Sequence, residues 1–164
     1  KRRFGNGYCL PAGPLREPIS RLQAVDLVVY NAANSAATET CSYTLSFSRL
    51  CHLGTGESRS LSSLSDKVVH AVAGIGHPAR FFTQLRENEM DIIEHAFPDH
   101  HRYSQDDFSG WHDECIVMTE KDAVKCRALS LPDAWFIRVD AELSETLASQ
   151  LDSIILPLLK LRRS

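Results

Sequence analysis

The chain has 164 residues, of which 43% are hydrophobic and 24% are charged. This composition is typical of one domain of ordinary size with a buried core, and it excludes a disordered chain. The net charge of −3 excludes a global attraction to nucleic acid, and five cysteines without a C-x-x-C pair argue against a disulfide framework.

Both ends of the chain are basic, at Lys1–Arg3 and at Lys160–Arg163. Short basic ends are more often solvated tails than binding patches, but they would suit the surface of an anionic membrane. No apolar run approaches the roughly 18 residues that a membrane span needs. The sequence shows no signal peptide. It lacks an initiator methionine and begins on a basic run that leads into a Gly/Pro-rich loop, so we expect a piece of a longer protein.

The segment from Phe4 to Pro18 is dense in glycine and proline and predicts a fixed, irregular loop. Arg16 and Glu17 stand at its far end, where a cation beside an anion could hold phosphate, a metal or sugar hydroxyls. The plain alternative is a rigid turn with a surface ion pair. The loop is not a Walker A loop, because G-x-x-x-x-G-K-S/T occurs nowhere in the chain.

Two strands are predicted next, at Ala24–Tyr30 and at Tyr43–Phe47. A polar turn over residues 31–40 separates them. Residues 54–66 are rich in serine and glycine and predict a mobile loop.

A strand, a glycine turn and a helix follow. Val68–Ala73 predicts a buried strand, and Pro78 suits the first position of a helix with Arg80 in its first turn. Gly74 and Gly76 leave backbone N–H groups at the start of this helix, which is a generic anion site. Such turns are common, so this feature alone indicates little. Three apolar side chains share the core face of the helix: Phe81, Phe82 and Leu85.

The apolar run Asp91–Phe97 predicts another buried strand, and Pro98 should end it because proline cannot donate to a sheet ladder. Asp99, His100 and His101 follow at the strand end. A carboxylate beside imidazoles can set the tautomer and raise the basicity of a histidine. The alternative is a capping aspartate followed by two solvated histidines.

The remaining elements repeat this order. Cys115–Met118 predicts a strand, followed by a helix that Thr119 caps. Trp135–Val139 predicts a further strand. The last helix begins at Ser144, and Pro157 should kink or shorten it.

Repeated strand–helix units predict an α/β fold with a mostly parallel sheet flanked by helices, a Rossmann-like three-layer domain, preceded by the irregular loop. We divide the chain into a substrate loop and inter-domain connection, residues 1–22, and an α/β domain, residues 23–164. In parallel strands, three polar clusters would share one rim: Gly74–Arg80, Asp99–His101 and Thr119–Lys125.

A metal site is one alternative for this rim. The spacing of the potential ligands matches no zinc pattern, and the Asp-His-His triplet resembles metal-dependent phosphoesterases whose additional Asp-rich motifs are not found upstream. A non-catalytic domain that binds a membrane or a partner is a second alternative. The potential metal ligands are His95, Asp99, His100, His101, His112 and Cys115.

Four stretches, Arg3–Glu17, Ala73–Phe82, Phe97–His101 and Met118–Cys126, together resemble the tetraacyldisaccharide 4'-kinase family, the lipid A 4'-kinases of Gram-negative bacteria. They occur in the family's order and span essentially the whole chain. The resemblance implies a P-loop kinase that uses ATP and Mg²⁺ to phosphorylate the 4'-hydroxyl of the lipid A disaccharide precursor. It implies a peripheral enzyme on the cytoplasmic face of the inner membrane.

The resemblance further implies that this chain is the C-terminal portion. The Walker A loop and the catalytic aspartate, which account for most binding of ATP and Mg²⁺, would belong to an N-terminal P-loop domain. The isolated chain would then be inactive.

Residue roles also follow from the resemblance. His100, favoured over His101, would partner the absent catalytic aspartate, which accepts the proton of the sugar hydroxyl, and Asp99 would orient His100. Arg16 and Glu17 would hold substrate phosphate, with Glu17 also near the metal.

Four further residues match motif positions of the family. Asn6 and Arg80 are implied to contact substrate. Lys121 and Lys125 are implied to have supporting roles.

Overall fold

The computed structural model describes residues 4–31 and 41–161. The chain divides into two compact units, residues 46–140 and residues 1–45 with 141–164. The predicted boundary between residues 22 and 23 stays a prediction.

The described residues contain seven strands and three α-helices. The strands are β1 (Tyr30–Asn31), β2 (Ser42–His52), β3 (Ser58–Arg59), β4 (Val68–Ala73), β5 (Asp91–Ala96), β6 (Ile116–Thr119) and β7 (Ala134–Leu143). The helices are α1 (Pro78–Glu87), α2 (Glu120–Cys126) and α3 (Glu145–Leu161).

In the unit of residues 46–140 the strand order is β2-β7-β6-β4-β5, and β3 pairs antiparallel with β2. Strands β4, β5, β6 and β7 run parallel. This parallel pairing confirms the α/β fold with a mostly parallel sheet that the strand–helix alternation of the sequence predicted.

The sheet has a hydrophobic core on each face because β4 alternates its side chains between them. Val69, Ala71 and Ala73 pack with the apolar face of α1, as predicted for that helix. Val72 packs on the opposite face with Ala123 of α2 and with other buried side chains. Helices thus cover both faces, and the carboxyl ends of the parallel strands stay open at the rim.

The strand predicted at Ala24–Tyr30 is mostly wrong. A 3₁₀ helix covers Ile19–Ala24, and only Tyr30 and Asn31 pair with β2. Val25 and Val29 are about 40% exposed, because no ladder partner engages this run until Tyr30. The predicted turn at 31–40 lies, beyond residue 31, outside the described residues.

Two other expectations need correction. Strand β5 is not buried, because it lies at the edge of the sheet, and all six of its residues are exposed or half-buried. Residues 54–66 are not a continuous loop, since they contain β3 and a 3₁₀ helix at Leu61–Leu64 whose last leucine is buried.

The unit of residues 1–45 and 141–164 contains the Gly/Pro-rich loop and α3. The hydroxyl of Ser144 accepts the N–H of Leu147 at 3.2 Å, which confirms the predicted helix start. Helix α3 continues four residues beyond Pro157 rather than stopping before it. No described helix combines the length and the apolar character needed to cross a bilayer.

Candidate functional site

The carboxyl ends of β4, β5 and β6 bring the three predicted polar clusters together, and we call this edge the rim. The amide of Gly74 after β4 donates to Asp122 Oδ2 in α2 at 2.9 Å. Lys121 Nζ, also in α2, donates to Asp99 Oδ1 after β5 at 3.1 Å. These two bonds confirm that the clusters share one edge, as parallel strands require.

Asp122 is the buried centre of the rim, with no exposed surface. Its Oδ2 also accepts the hydroxyl of Thr119 at 2.7 Å, and its Oδ1 accepts Lys125 Nζ at 2.8 Å. Burial by itself raises the pKa of Asp122, but the donors Lys125, Thr119 and Gly74 N–H outweigh it and hold the pKa below the usual value of 3.8. The carboxylate is therefore charged, bonded to three donors and closed to solvent.

Gly74 is required by the close approach of two side chains. A Cβ at this position would lie 2.6 Å from Tyr103 Oη and 3.1 Å from Asp122 Oδ1. Because the Gly74 amide donates to Asp122, it is not available to an external anion, and the predicted anion site is wrong at this residue. Burial and the nearby charge of Asp122 raise the pKa of Tyr103, so its hydroxyl remains neutral.

The turn after β5 exposes one imidazole. The His100 side chain is 79% exposed, and its Nε2 lies 3.7 Å from Asp99 Oδ2, which is an ion-pair distance and too long for a hydrogen bond. The Asp99 carboxylate instead holds the backbone, since Oδ1 accepts the N–H of His100 at 3.0 Å. His100 has a φ of 63°, a left-handed conformation that costs a non-glycine residue about 1 to 2 kcal/mol.

The neighbouring His101 has a different environment. Its Nε2 lies 3.2 Å from Asp107 Oδ2, and its ring packs against Phe97 and Tyr103. Asp107 Oδ2 also accepts the backbone N–H of Ser104 at 2.8 Å, the main cause of the lowered pKa of Asp107. His101 is thus engaged within the fold, whereas His100 faces solvent.

The predicted substrate residues of the Gly/Pro-rich loop belong to the other unit. Asn6 stabilises the loop itself, because its Nδ2 donates to Ala12 O at 2.9 Å and its Oδ1 accepts the N–H of Tyr8 at 3.2 Å. Glu17, just before the 3₁₀ helix, pairs with Arg21 inside it at 3.2 Å and not with Arg16, which is exposed. Their roles toward a substrate stay predictions.

Arg80 is exposed in the first turn of α1, which follows the loop at the carboxyl end of β4. Lys125 is mostly buried by comparison, and its role in the fold is the ion pair with Asp122. Asp122 and Tyr103 were not among the predicted site residues. Asp122 has a recognisable signal, since it stands three residues after the cap Thr119 and three before Lys125.

A second histidine cluster was also missed. His70 in β4 is buried, and its Nδ1 lies 2.9 Å from Nε2 of His95 in β5. Glu114 Oε2 lies 3.1 Å from the other ring nitrogen of His70, and the indole of Trp111 stacks on both imidazoles. Burial, and then the charge of His70, lower the pKa of His95 below 6.5. This cluster was predictable only from strand adjacency.

The alternative of a metal site gains no support from this geometry. His95, His101 and His112 each contact a different partner, and the described residues contain no group of three potential ligands placed to hold a metal. Cys115 and Cys126 are buried, and burial raises the pKa of each thiol to about 12, so neither is an activated nucleophile.

An α/β unit with covered faces and a polar rim of paired lysines, carboxylates and an exposed imidazole defines a class of protein that binds its ligand at the strand ends. Comparison with known families shows which protein family this chain belongs to. The family model of LpxK, tetraacyldisaccharide-1-P 4'-kinase, matches residues 1–156, and the chain belongs to this family.

Curated relatives agree with this assignment. The chain is 43% identical over 153 residues to the tetraacyldisaccharide 4'-kinase of Hahella chejuensis, covering 93% of this chain and 45% of that protein. It is 45% identical over 151 residues to the same enzyme of Methylobacillus flagellatus, covering 92% and 45%. The chain therefore spans about half the length of the curated relatives it matches.

A solved structure supports the fold. LpxK of Aquifex aeolicus, crystallised in complex with ATP, matches with a TM-score of 0.67 and 24% identity, covering 88% of this chain and 47% of that one. At this level of identity the likeness bears on the fold alone.

Proposed function

We propose that this chain forms part of a lipid A 4'-kinase, which transfers the γ-phosphate of ATP to the 4'-hydroxyl of tetraacyldisaccharide 1-phosphate. The named relatives support this reaction, and the crystallised Aquifex aeolicus protein supports the use of ATP. The proposal assigns ATP mainly to an N-terminal P-loop domain of the complete protein. This chain contributes the rim with His100 and is inactive alone.

The observation that carries the proposal is the geometry of the turn after β5. Phosphoryl transfer depends on positioning and on neutralising charge more than on covalent chemistry. His100 stands exposed at the open edge of the sheet beside a carboxylate that α2 holds in place. An imidazole in this position can pair with a catalytic carboxylate contributed from outside the chain and adjust its basicity.

The role of Glu17 near the metal stays a prediction. Magnesium is usually held by one or two carboxylates together with waters and substrate phosphates. Glu17 is a single exposed carboxylate whose Oε2 already accepts Arg21 Nε. The proposal therefore leaves Mg²⁺ to the complete site, and the role of His100 does not depend on the ion being bound by this chain.

Attachment to the cytoplasmic face of the inner membrane is part of the same proposal. Four large apolar side chains of α3 are at least 45% exposed: Ile155, Leu156, Leu158 and Leu159. Basic residues follow them in the sequence, which is the pattern of a helix that lies on an anionic surface. Flotation of the full-length protein should be stronger with anionic than with neutral liposomes, and equal flotation would contradict the attachment.

The test of the catalytic role is His100→Ala in the full-length protein. The loss of an imidazole that acts at the transition state should lower kcat far more than it raises KM for the lipid substrate. Steady-state phosphorylation of the disaccharide at saturating and limiting lipid concentrations separates the two constants.

His112→Ala is the matched control. His112 is an exposed histidine of the same unit; its ring pairs with Asp113, and it precedes the amino end of β6, whereas the rim is at the carboxyl end of that strand. We expect its kcat to equal that of the unsubstituted protein. An unchanged kcat in His100→Ala would contradict the proposed role.

A further inference from the structure

Lys121 reaches from α2 to the turn that carries His100. Its Nζ donates to Asp99 Oδ1 at 3.1 Å, and the same oxygen accepts the backbone N–H of His100 at 3.0 Å. One carboxylate oxygen thus links the lysine to the backbone of the histidine. The contact is between side chains about half exposed, so surface screening makes it a weak contributor to stability.

The helix that carries Lys121 is anchored to the sheet at the next residue. Asp122 is fully buried and binds the amide of Gly74 at the end of β4. Asp99 is bordered on its other side by the loop after β4, because a Cβ on Gly76 would lie 3.7 Å from Asp99 Oδ2. Lys121 therefore extends from a fixed base, and Asp99 lies between α2 and this loop.

We infer that Lys121 is a positioning residue for His100, which it holds through the carboxylate of Asp99. With Lys121 in place, Asp99 Oδ1 stays bonded to the His100 N–H, and the imidazole keeps its direction at the open edge of the rim. This inference deepens the proposed function and rests on it, because the direction of the ring matters only if His100 takes part in the reaction.

The backbone of His100 explains why a restraint is needed. A φ of 63° is unfavourable for a residue with a Cβ and persists only where neighbouring contacts hold it. Without Lys121, the half-exposed Asp99 side chain can rotate and release the N–H. The turn then relaxes, and the ring moves away from its reactive position.

Electrostatics act in the same direction. The hydrogen bond from Lys121 is the main reason that the pKa of Asp99 lies below its usual value of 3.8. The same hydrogen bond restrains an ionised carboxylate, which is a stronger acceptor for the backbone N–H of His100 than a neutral carboxyl group.

The test compares Lys121→Met, Lys121→Arg and Lys67→Met in the full-length protein. Displacement of a reacting group can cost up to about a hundredfold in rate, so we expect Lys121→Met to lower kcat between about tenfold and about a hundredfold. KM for the lipid should change by less than about twofold, since no binding contact is lost. Lys121→Arg keeps the cation and should recover most of the rate.

Lys67→Met is the matched control, because Lys67 is exposed just before β4, at the opposite end of the strand from the rim. Its kcat should not change. A fall in kcat for Lys121→Met that Lys121→Arg does not recover would overturn the inference, since the cation would not be the relevant group.

A double-substitution cycle with Asp99→Asn shows whether Lys121 acts through Asp99. If it does, Lys121→Met should add almost nothing to the loss caused by Asp99→Asn, because both break one chain of contacts. Multiplicative losses would overturn the inference. The amide signal of His100 in protein labelled with ¹⁵N-histidine should shift in Lys121→Met, and an unmoved signal would also overturn it.

The outcome for His100→Ala separates the two proposals. A fall in kcat for His100→Ala together with an unchanged kcat for Lys121→Met would overturn only the positioning role. An unchanged kcat for His100→Ala would overturn the role of His100, and the positioning role with it. The proposed function itself would be overturned only if the unsubstituted full-length protein did not phosphorylate the disaccharide.

Discussion

Lys121 and Lys125 stand four residues apart on α2, and each donates to an aspartate at the rim. Lys125 binds Asp122, which has no exposed surface and accepts two further donors. Lys121 binds Asp99, whose side chain is 43% exposed and whose other close donor is a backbone amide. The same pair of chemical groups therefore stabilises the fold at one position and, in the role proposed for Lys121, orients the turn of His100 at the other.

Burial accounts for this difference. A charge in the interior must be paired, because an uncompensated buried carboxylate cannot be solvated. A half-exposed charge loses little when its partner is removed, because water replaces the lost contact. The Lys125 pair should thus dominate stability, whereas the Lys121 pair should affect catalysis with little effect on stability.

The largest expected effect is that of Lys125→Met. It leaves Asp122 buried without its cation, and breaking such a pair costs about 3 to 5 kcal/mol of the free energy of unfolding. Urea denaturation of the substituted and unsubstituted proteins measures this loss of unfolding free energy. Lys121→Met, a substitution of the same kind on the same helix, is the control and should leave the free energy of unfolding unchanged. Equal losses in the two variants would remove the distinction between the pairs.

A smaller loss is expected for Gly74→Ala, which tests the packing beside the buried pair. The new Cβ would meet Tyr103 Oη and Asp122 Oδ1, and overpacking of this kind costs roughly 1 to 3 kcal/mol. Gly56→Ala is not a suitable control because Gly56 has a φ of +73°, whereas Gly54→Ala adds only an ordinary contact with His52. The melting temperatures of the two variants provide the measurement. A decrease for Gly74→Ala no larger than that for Gly54→Ala would show that a Cβ at residue 74 is accommodated without overpacking.

The smallest effect concerns a pair of intermediate burial, His70 with His95. Because the folded state holds the pKa of His95 below 6.5, the unfolded chain binds more protons as the pH falls below this value. This pair should therefore lower stability on acidification, although Glu114 beside His70 partly compensates a proton on the pair. His95→Gln should weaken the dependence of the unfolding free energy on pH between about 7.5 and about 5.5.

Unfolding curves of His95→Gln and of the unsubstituted protein across this pH range provide the measurement. The comparison removes the contribution of the carboxylates that the two proteins share. Identical pH dependence would show that His95 is not coupled to folding. It would leave the contrast between the two lysine pairs unaffected.

Local sequence patterns predicted the interior of the fold well. The predicted strand Val68–Ala73 coincides with β4, because a short apolar run with polar flanks has few other structures available. The helix beginning at Pro78 and the cap Thr119 were equally readable from local chemistry. The order of strands in the sheet is not local information, so the exposure of the edge strand β5 was not predicted.

The sequence predicted which residues lie at the rim better than it predicted the contacts between them. Parallel strands sufficed to bring Asp99 and Lys121 to one edge. The contact of Asp99 with the backbone of His100, rather than with its ring, depends on the left-handed turn, which no pattern in the sequence specifies. The pairing of His70 with His95 joins residues 25 positions apart and required the strand order.

The left-handed backbone of His100 has a further consequence for experiments. Glycine adopts a φ of 63° without steric cost, so His100→Gly removes the imidazole and also the backbone strain that histidine and alanine share at this position. The space that the ring leaves is open to solvent. Free imidazole added to the buffer can therefore enter it, and chemical rescue of His100→Gly would separate the chemistry of the ring from the shape of the turn that presents it.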